Sequence, residues 1–162
     1  MTFKDRIALR DVAEIVDDYS GRRRAVLEYC MTTKRLVDAA KQPGFTVDSW
    51  TPLADLVDTG DFVRVGNFKE VMNWQDYVEF LTNWATSSHW ECSFKRITEA
   101  DGVVFLELEE RSRVGDSVHS ANSMSVYEFG DLGKIARIDV YLQMALPKSE
   151  MLSCYDGVDI SG

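Results

Sequence analysis

Two histidines occur in the chain, and one of them, His119, lies just after the turn-forming pair Gly115-Asp116, with Glu110 just before it. The alternating runs 103–113 and 117–129 on either side read as the two strands of a hairpin closed by a two-residue turn. That register sets Ser112 opposite His119, Glu110 opposite Ala121, Leu108 opposite Ser123 and Leu106 opposite Ser125. Glu110 and His119 become diagonal neighbours on a face that also carries Val104, Leu106, Leu108, Ser123, Ser125 and Tyr127. A carboxylate and an imidazole beside apolar surface can transfer protons, because burial raises a carboxyl pKa and pairing orients the ring. The same pair could instead be a rim salt bridge that keeps the open end of the sheet wet. The opposite face carries Glu107, Glu109, Arg111, Arg113 and Asn122, a solvated pattern, with Phe105, Met124 and Val126 patching its far end.

Other chemistry-bearing residues are sparse. His89 begins a strand on the parity opposite to Trp90, Cys92 and Phe94, which turns it toward water or the rim. Trp90 and Phe94 would line a pocket or fill a core. Tyr29 falls on the buried face of a helix, as a core tyrosine or as a donor to a bound oxygen. Arg64 or Asn67, in an irregular extended stretch, could supply a polar contact at a pocket mouth. Cys30, Cys92 and Cys154 are odd in number and show no CxxC or Cys/His cluster, which argues against structural zinc and against a disulfide framework. Cys30 and Cys92 read as small hydrophobes.

Helices precede the strands. Phe3, Ile7, Ala8, Val12, Ile15 and Tyr19 give a helical pattern over 3–19, interrupted by Ser20-Gly21. Val26, Tyr29, Cys30, Leu36, Val37 and Ala40 form a second stripe that Pro43-Gly44 closes. Thr51-Pro52 starts a short helix, 61–71 is extended, and Asn73 caps a helix whose face holds Trp74, Tyr77, Val78, Leu81, Trp84 and Ala85. Strands at 89–98, 103–113, 117–129 and 134–144, joined by short links, make an antiparallel meander and an α+β fold. The segment from Pro147 has no period and reads as a loop or partner-covering tail.

With 162 residues the chain suits one domain, and 45% hydrophobic against 28% charged residues is the composition of a folded one. A formal charge of -9 argues against nucleic acid or an anionic membrane surface as partner, since binding a polyanion needs a patch of Lys and Arg. The Arg22-Arg23-Arg24 cluster is too small and, on a helix, mostly points to water. The N-terminus lacks the apolar core of a secretion signal and no apolar run reaches membrane-spanning length, so a reducing cytoplasm is the expected location. Four Trp, six Tyr and eight Phe imply either a large core or a pocket for an apolar molecule.

The order of elements is similar to that of the SnoaL-like branch of the nuclear transport factor 2 superfamily. The segment Ala25-Val26-Leu27-Glu28-Tyr29, the capped helix Trp74–Ala85, the meander and the closing Gly133-Lys134-Ile135-Ala136-Arg137 carry the resemblance. It implies a cone-shaped, strongly curved antiparallel sheet wrapped around N-terminal helices and a deep apolar pocket, often in a homodimer. Residues 21–146 would form this domain, with 1–20 a helical extension and 147–162 an irregular tail. Members include ketosteroid isomerase, limonene epoxide hydrolase, scytalone dehydratase and polyketide cyclases, and the resemblance implies no metal or organic cofactor.

Carried over residue by residue, the resemblance is incomplete. Tyr29 matches the isomerase's oxyanion-hole tyrosine, but Ser125 stands where that enzyme has a protonated aspartic acid. The isomerase's general base would lie near Arg64 or Gly66, neither a carboxylate, which argues against steroid isomerisation. Glu110 occupies a carboxylate position of the epoxide hydrolase, whose arginine partner is replaced by Leu108. The final-strand aspartate of the hydrolase and the cyclases falls on Val140, with Asp139 adjacent. His119-Ser120-Ala121-Asn122 resembles a scytalone dehydratase stretch whose Ser and Asn line the pocket, which conflicts with the register above unless a bulge intervenes.

The expected function is cofactor-independent chemistry on a small apolar molecule: isomerisation, dehydration, cyclisation or epoxide opening. Glu110 would act as acid or base, His119 as its partner and Tyr29 as donor to a substrate oxygen. Trp90, Phe94, Leu106, Leu108, Ser123, Ser125 and Val140 would form the binding surface. The alternative is a non-catalytic ligand-binding or dimerisation module. A thiol enzyme through Cys92 is a third reading, without a visible base.

Overall fold

The computed structural model describes residues 9–145 and 153–159. The stripe predicted over 3–19 lies partly outside these residues, and its described part is not one helix. Arg10 forms an isolated bridge with Phe94, helix α1 spans Val12–Ile15, and a 3-10 turn follows at Val16–Asp18. Arg10 is held straight by the edge of the sheet: its amide donates to the Phe94 carbonyl and its carbonyl accepts from the Phe94 amide. Backbone pairing of this kind satisfies groups that one more turn of helix would leave to local partners.

Helix α2 (Gly21–Ala39) buries Val26, Leu27, Tyr29, Cys30, Thr33, Leu36 and Val37, the face that helical spacing selects. Its exposed side carries the i,i+4 pairs Arg24–Glu28 and Lys34–Asp38. The three consecutive arginines each find a local partner: Arg22 at the Phe129 ring and Gly102 carbonyl, Arg23 over Tyr19, Arg24 with Glu28 and Asp17. A 3-10 turn at Val47–Trp50 leads into α3 (Thr51–Ala54), with Pro52 in its first turn. Asn73 caps α4 (Trp74–Ala85) through Oδ1, which accepts from the Asp76 amide at 2.9 Å. Trp50, buried between these elements, donates from Nε1 to Thr82 Oγ1.

Six strands form one open sheet: β1 (Val63–Val65), β2 (Val71–Met72), β3 (Ser88–Ala100), β4 (Val103–Val114), β5 (Ser117–Phe129) and β6 (Ile135–Met144). The order is β2-β1-β6-β5-β4-β3, and β3 to β6 are the expected antiparallel meander. The sheet is nevertheless mixed, because β1 pairs parallel to β6. The β4–β5 register pairs Leu106 with Ser125, Leu108 with Ser123, Glu110 with Ala121 and Ser112 with His119, as the two-residue turn predicts. Gly115 supplies the positive φ, 58°, that this turn needs at its first position. Irregularities at Phe94/Arg96 and Glu128/Phe129 interrupt the outer ladders, and bulges of this kind bend a strand. Val104, Leu106, Leu108, Tyr127 and Ile138 on the inner face are buried in the core with α2 and α4.

The turn from β1 to β2 is shaped by one close approach. Gly66 donates its amide to the Glu70 carbonyl, and the Glu70 side chain folds back over Gly66. A Cβ at residue 66 would lie 1.7 Å from Glu70 Oε1. Gly66→Ala must therefore displace a buried carboxylate, and its expected cost is about 1–3 kcal/mol, read by urea denaturation. An unchanged denaturation midpoint would contradict this account of the turn.

Candidate functional site

A cavity of about 450 Å³ opens between the inner face of the sheet and helices α2 and α4. This is within the size range of small-molecule sites. Tyr29, Cys30 and Thr33 reach it from α2, and Tyr77, Phe80 and Trp84 from α4. The sheet contributes Trp90, Leu108, Glu110, His119, Ser125, Tyr127 and Val140. Residues 153–156 of the C-terminal segment also line it, with the Tyr155 ring against Phe68 and Phe80 at 5.3 and 5.2 Å.

Of the residues singled out from sequence, Glu110, His119, Tyr29, Trp90, Leu108, Ser125 and Val140 all lie on this wall. Phe94, Leu106 and Ser123 are buried away from it. Phe94 packs against Tyr19 and beneath Arg10, Leu106 belongs to the core, and Ser123 keeps a hydroxyl without a hydrogen-bond partner. Asp139 points outward, where Arg137 binds it, and Asn122 also faces out, between Lys95 and Gln143. Ser120 reaches the cavity rim while exposed, and His89 is exposed. Asn67 does not serve the cavity: its Oδ1 accepts the Leu142 amide at 2.9 Å and ties the β1–β2 turn to β6.

Glu110 and His119 share the cavity but make no hydrogen bond or ion pair with each other. Glu110 Oε1 instead accepts from the Trp90 indole Nε1 at 2.8 Å. The reason lies in β3: Trp90 is opposite Ser112 and Cys92 opposite Glu110, so the indole approaches diagonally from the adjacent strand. His119 is left half-buried, with Nε2 enclosed and without a partner.

The tyrosines form a second polar group. Tyr29 Oη donates to Tyr77 Oη across 3.5 Å, a long bond, and the Tyr29 ring meets Tyr127 edge-on. Burial first, then the neighbouring Tyr77 and Tyr127, holds the Tyr29 hydroxyl well above its ordinary pKa. Burial does the same to Tyr127, with Cys30 adding to it. Cys30 and Cys92 are free thiols with sulfurs 3.8 Å apart. That contact, followed by burial, raises the Cys30 pKa well above normal, which argues against a thiolate nucleophile there.

Arg64, read from the sequence as a polar contact at a pocket mouth, lines the cavity, but sequence reasoning did not find its buried partner Glu70. The Glu70 side chain is fully buried, accepting the Phe68 amide at Oε2, while Oε1 lies 3.7 Å from Arg64 Nη1. The Arg64 guanidinium lies over the Tyr77 ring at 5.0 Å and the Phe80 ring at 5.9 Å, and lines the cavity. The one available signal was Gly66, a glycine placed where a side chain folds back on its own turn. Among the described residues, no three His, Cys, Asp or Glu side chains converge as a metal site would require.

No protein-family profile matches the chain, and no curated protein does. Solved structures do. An NTF2-like protein of unknown function from Exiguobacterium sp. 255-15 superposes with a TM-score of 0.56 at 13% identity, over 71% of this chain and 98% of that one. A provisionally named SnoaL-like polyketide cyclase from Jannaschia sp. CCS1 gives 0.55 at 12%, over 78% and 90%. A Mycobacterium tuberculosis LEH-like epoxide hydrolase gives 0.51 at 16%, over 70% and 84%. The chain has the NTF2-like fold, on which the neighbours include a polyketide cyclase and an epoxide hydrolase. No helix among the described residues is long and apolar enough to cross a membrane.

The tyrosine shifts fix a pH dependence. An unfolded tyrosine ionises at about 10, while Tyr29 and Tyr127 hold their protons beyond that. Above the unfolded value the native state binds more protons, so their contribution is fully present below about pH 10 and is lost as pH rises further. Urea denaturation from about pH 8 to about pH 11 should show stability falling past about pH 10, less steeply in Tyr29→Phe and Tyr127→Phe. Equal slopes in all three proteins would refute the assignment.

Proposed function

We propose that the chain is a cofactor-independent enzyme that performs acid–base chemistry on a small hydrophobic molecule held in the cavity. The observation that supports this most is Glu110: a carboxylate inside a ring-lined cavity, oriented through one oxygen by the Trp90 indole. Glu110 acts as acid or base, His119 as its partner across the cavity, and Tyr29 donates to a substrate oxygen. Trp90, Leu108, Ser125 and Val140 contact the substrate. The reaction belongs to the isomerase, dehydratase, cyclase or epoxide-hydrolase class, each of which needs a positioned acid and base shielded from water. The residues 21–146 make up the catalytic domain, preceded by an extension over 1–20 and followed by the tail over 147–162, and the protein works in a reducing cytoplasm. Unlinked Cys30 and Cys92 in direct contact are consistent with that compartment.

Glu110→Gln is expected to lower turnover of an identified substrate by about 10²–10⁴-fold, with His119→Ala also impaired. Full turnover in both variants would defeat the assignment. A ligand carrier is the second reading, favoured by the missing Glu110–His119 bond. It predicts that Glu110→Gln leaves ligand affinity intact and that no ligand is converted.

The reading includes a homodimer. Met124 and Tyr141 are directly opposed on the outer face, 39% and 58% exposed, beside Phe105 and Val126. Light scattering on wild type and on Met124→Glu/Tyr141→Glu checks this: a dimer that becomes a monomer is expected, and a monomeric wild type would overturn it.

A further inference from the structure

The guanidinium at the cavity wall is under-satisfied. Arg64 makes no hydrogen bond among the described residues, and its side chain is only 13% exposed. Its one ion-pair partner among the described residues, Glu70, stands at 3.7 Å, beyond hydrogen-bond length, and each partner keeps an enclosed polar atom unmatched there: Nη1 of Arg64 and Oε1 of Glu70. Buried charged donors left without acceptors are costly, by more than neutral ones. The aromatic faces of Tyr77 and Phe80 hold the guanidinium plane but accept none of its N–H groups in a conventional hydrogen bond.

The surroundings say what acceptor would fit. Glu70 is anchored by the Phe68 amide and is not part of the cavity wall, so it supports Arg64 from behind while the guanidinium faces the cavity. A planar guanidinium pre-oriented between rings matches a carboxylate through paired N–H···O contacts. Apolar and aromatic groups make up most of the neighbouring wall, from Phe68, Phe80 and Tyr155 to Leu142.

We propose that Arg64 is the recognition point for a carboxylate, and that the cavity takes an apolar, ring-containing organic acid with its carboxylate on Arg64. The inference rests on the cavity being a ligand site, as proposed above, but not on the roles given to Glu110 and His119.

Equilibrium binding of 2-naphthoate and of methyl 2-naphthoate, measured by calorimetry without any turnover, tests it. Wild type should bind the acid about tenfold or more tightly than the ester. Arg64→Met alone would leave Glu70 buried without a counter-charge and could unfold the chain, so the informative protein is Arg64→Met/Glu70→Gln, which removes both charges. It should bind the two probes equally. Equal binding of acid and ester by wild type, or a preference that survives in the double variant, overturns the carboxylate assignment and leaves the ligand-site reading standing. Binding of neither probe at millimolar concentration overturns both. A guanidinium that merely braces Tyr77 and Phe80 would give no charge preference at all.

Discussion

The two-residue turn at Gly115-Asp116 is the constraint on which the rest of the molecule depends. Side chains alternate along a strand, so the turn's length decides which set of β4 and β5 residues faces the helices. With this register Leu106, Leu108 and Tyr127 are buried while Glu107 and Arg111 stay on the other side, with Arg96 and Ser93. Glu110 and His119 reach the cavity only because they share parity with those core residues. Apolar burial and the placement of the polar groups are thus one decision of the backbone.

Within that frame, the cavity's polar groups are arranged by neighbours on other elements. Trp90 comes from β3 to hold Glu110, Tyr77 comes from α4 to meet Tyr29, and Glu70 comes from the β1–β2 turn to face Arg64. Glu110 and Tyr29 are held by partners distant in sequence and Arg64 by a neighbour on its own hairpin, which limits the rotamers of each. Glu110 keeps one oxygen without a protein hydrogen bond, while His119 Nε2 and Arg64 Nη1 are enclosed and unpaired.

Strand identities, the capped helix and the hairpin register were legible because each has a short-range cause: period, cap residue or turn length. The same alternation placed Glu110 and Ser125 on the inner face without any contact information, while Val140 was indicated only by the resemblance. The Glu110–Trp90 bond was not legible, since the expected partner His119 and the observed one lie on different neighbouring strands and side-chain reach decides between them. Phe94 and Leu106 share the inner parity yet lie off the cavity, because parity gives the face and not the depth along it. Arg64 was named as a polar contact at a pocket mouth, but its three-residue strand is too short to show a face, and its partner Glu70 has a residue type that usually faces water. The parallel pairing of β1 with β6 and the extension of Arg10 are tertiary choices with no local signature.

The contact between Arg10 and Phe94 has a consequence for the molecule as a colloid. β3 spans thirteen residues at the border of the sheet, and a long border strand offers its free amides and carbonyls to any other chain. Arg10 occupies that border near its middle, and the irregularity at Phe94/Arg96 breaks its regular spacing next to the same point. A template for strand addition must be continuous, and here it is divided into two short stretches. The N-terminal segment therefore guards against self-association of sheets, a protective task separate from anything the cavity does.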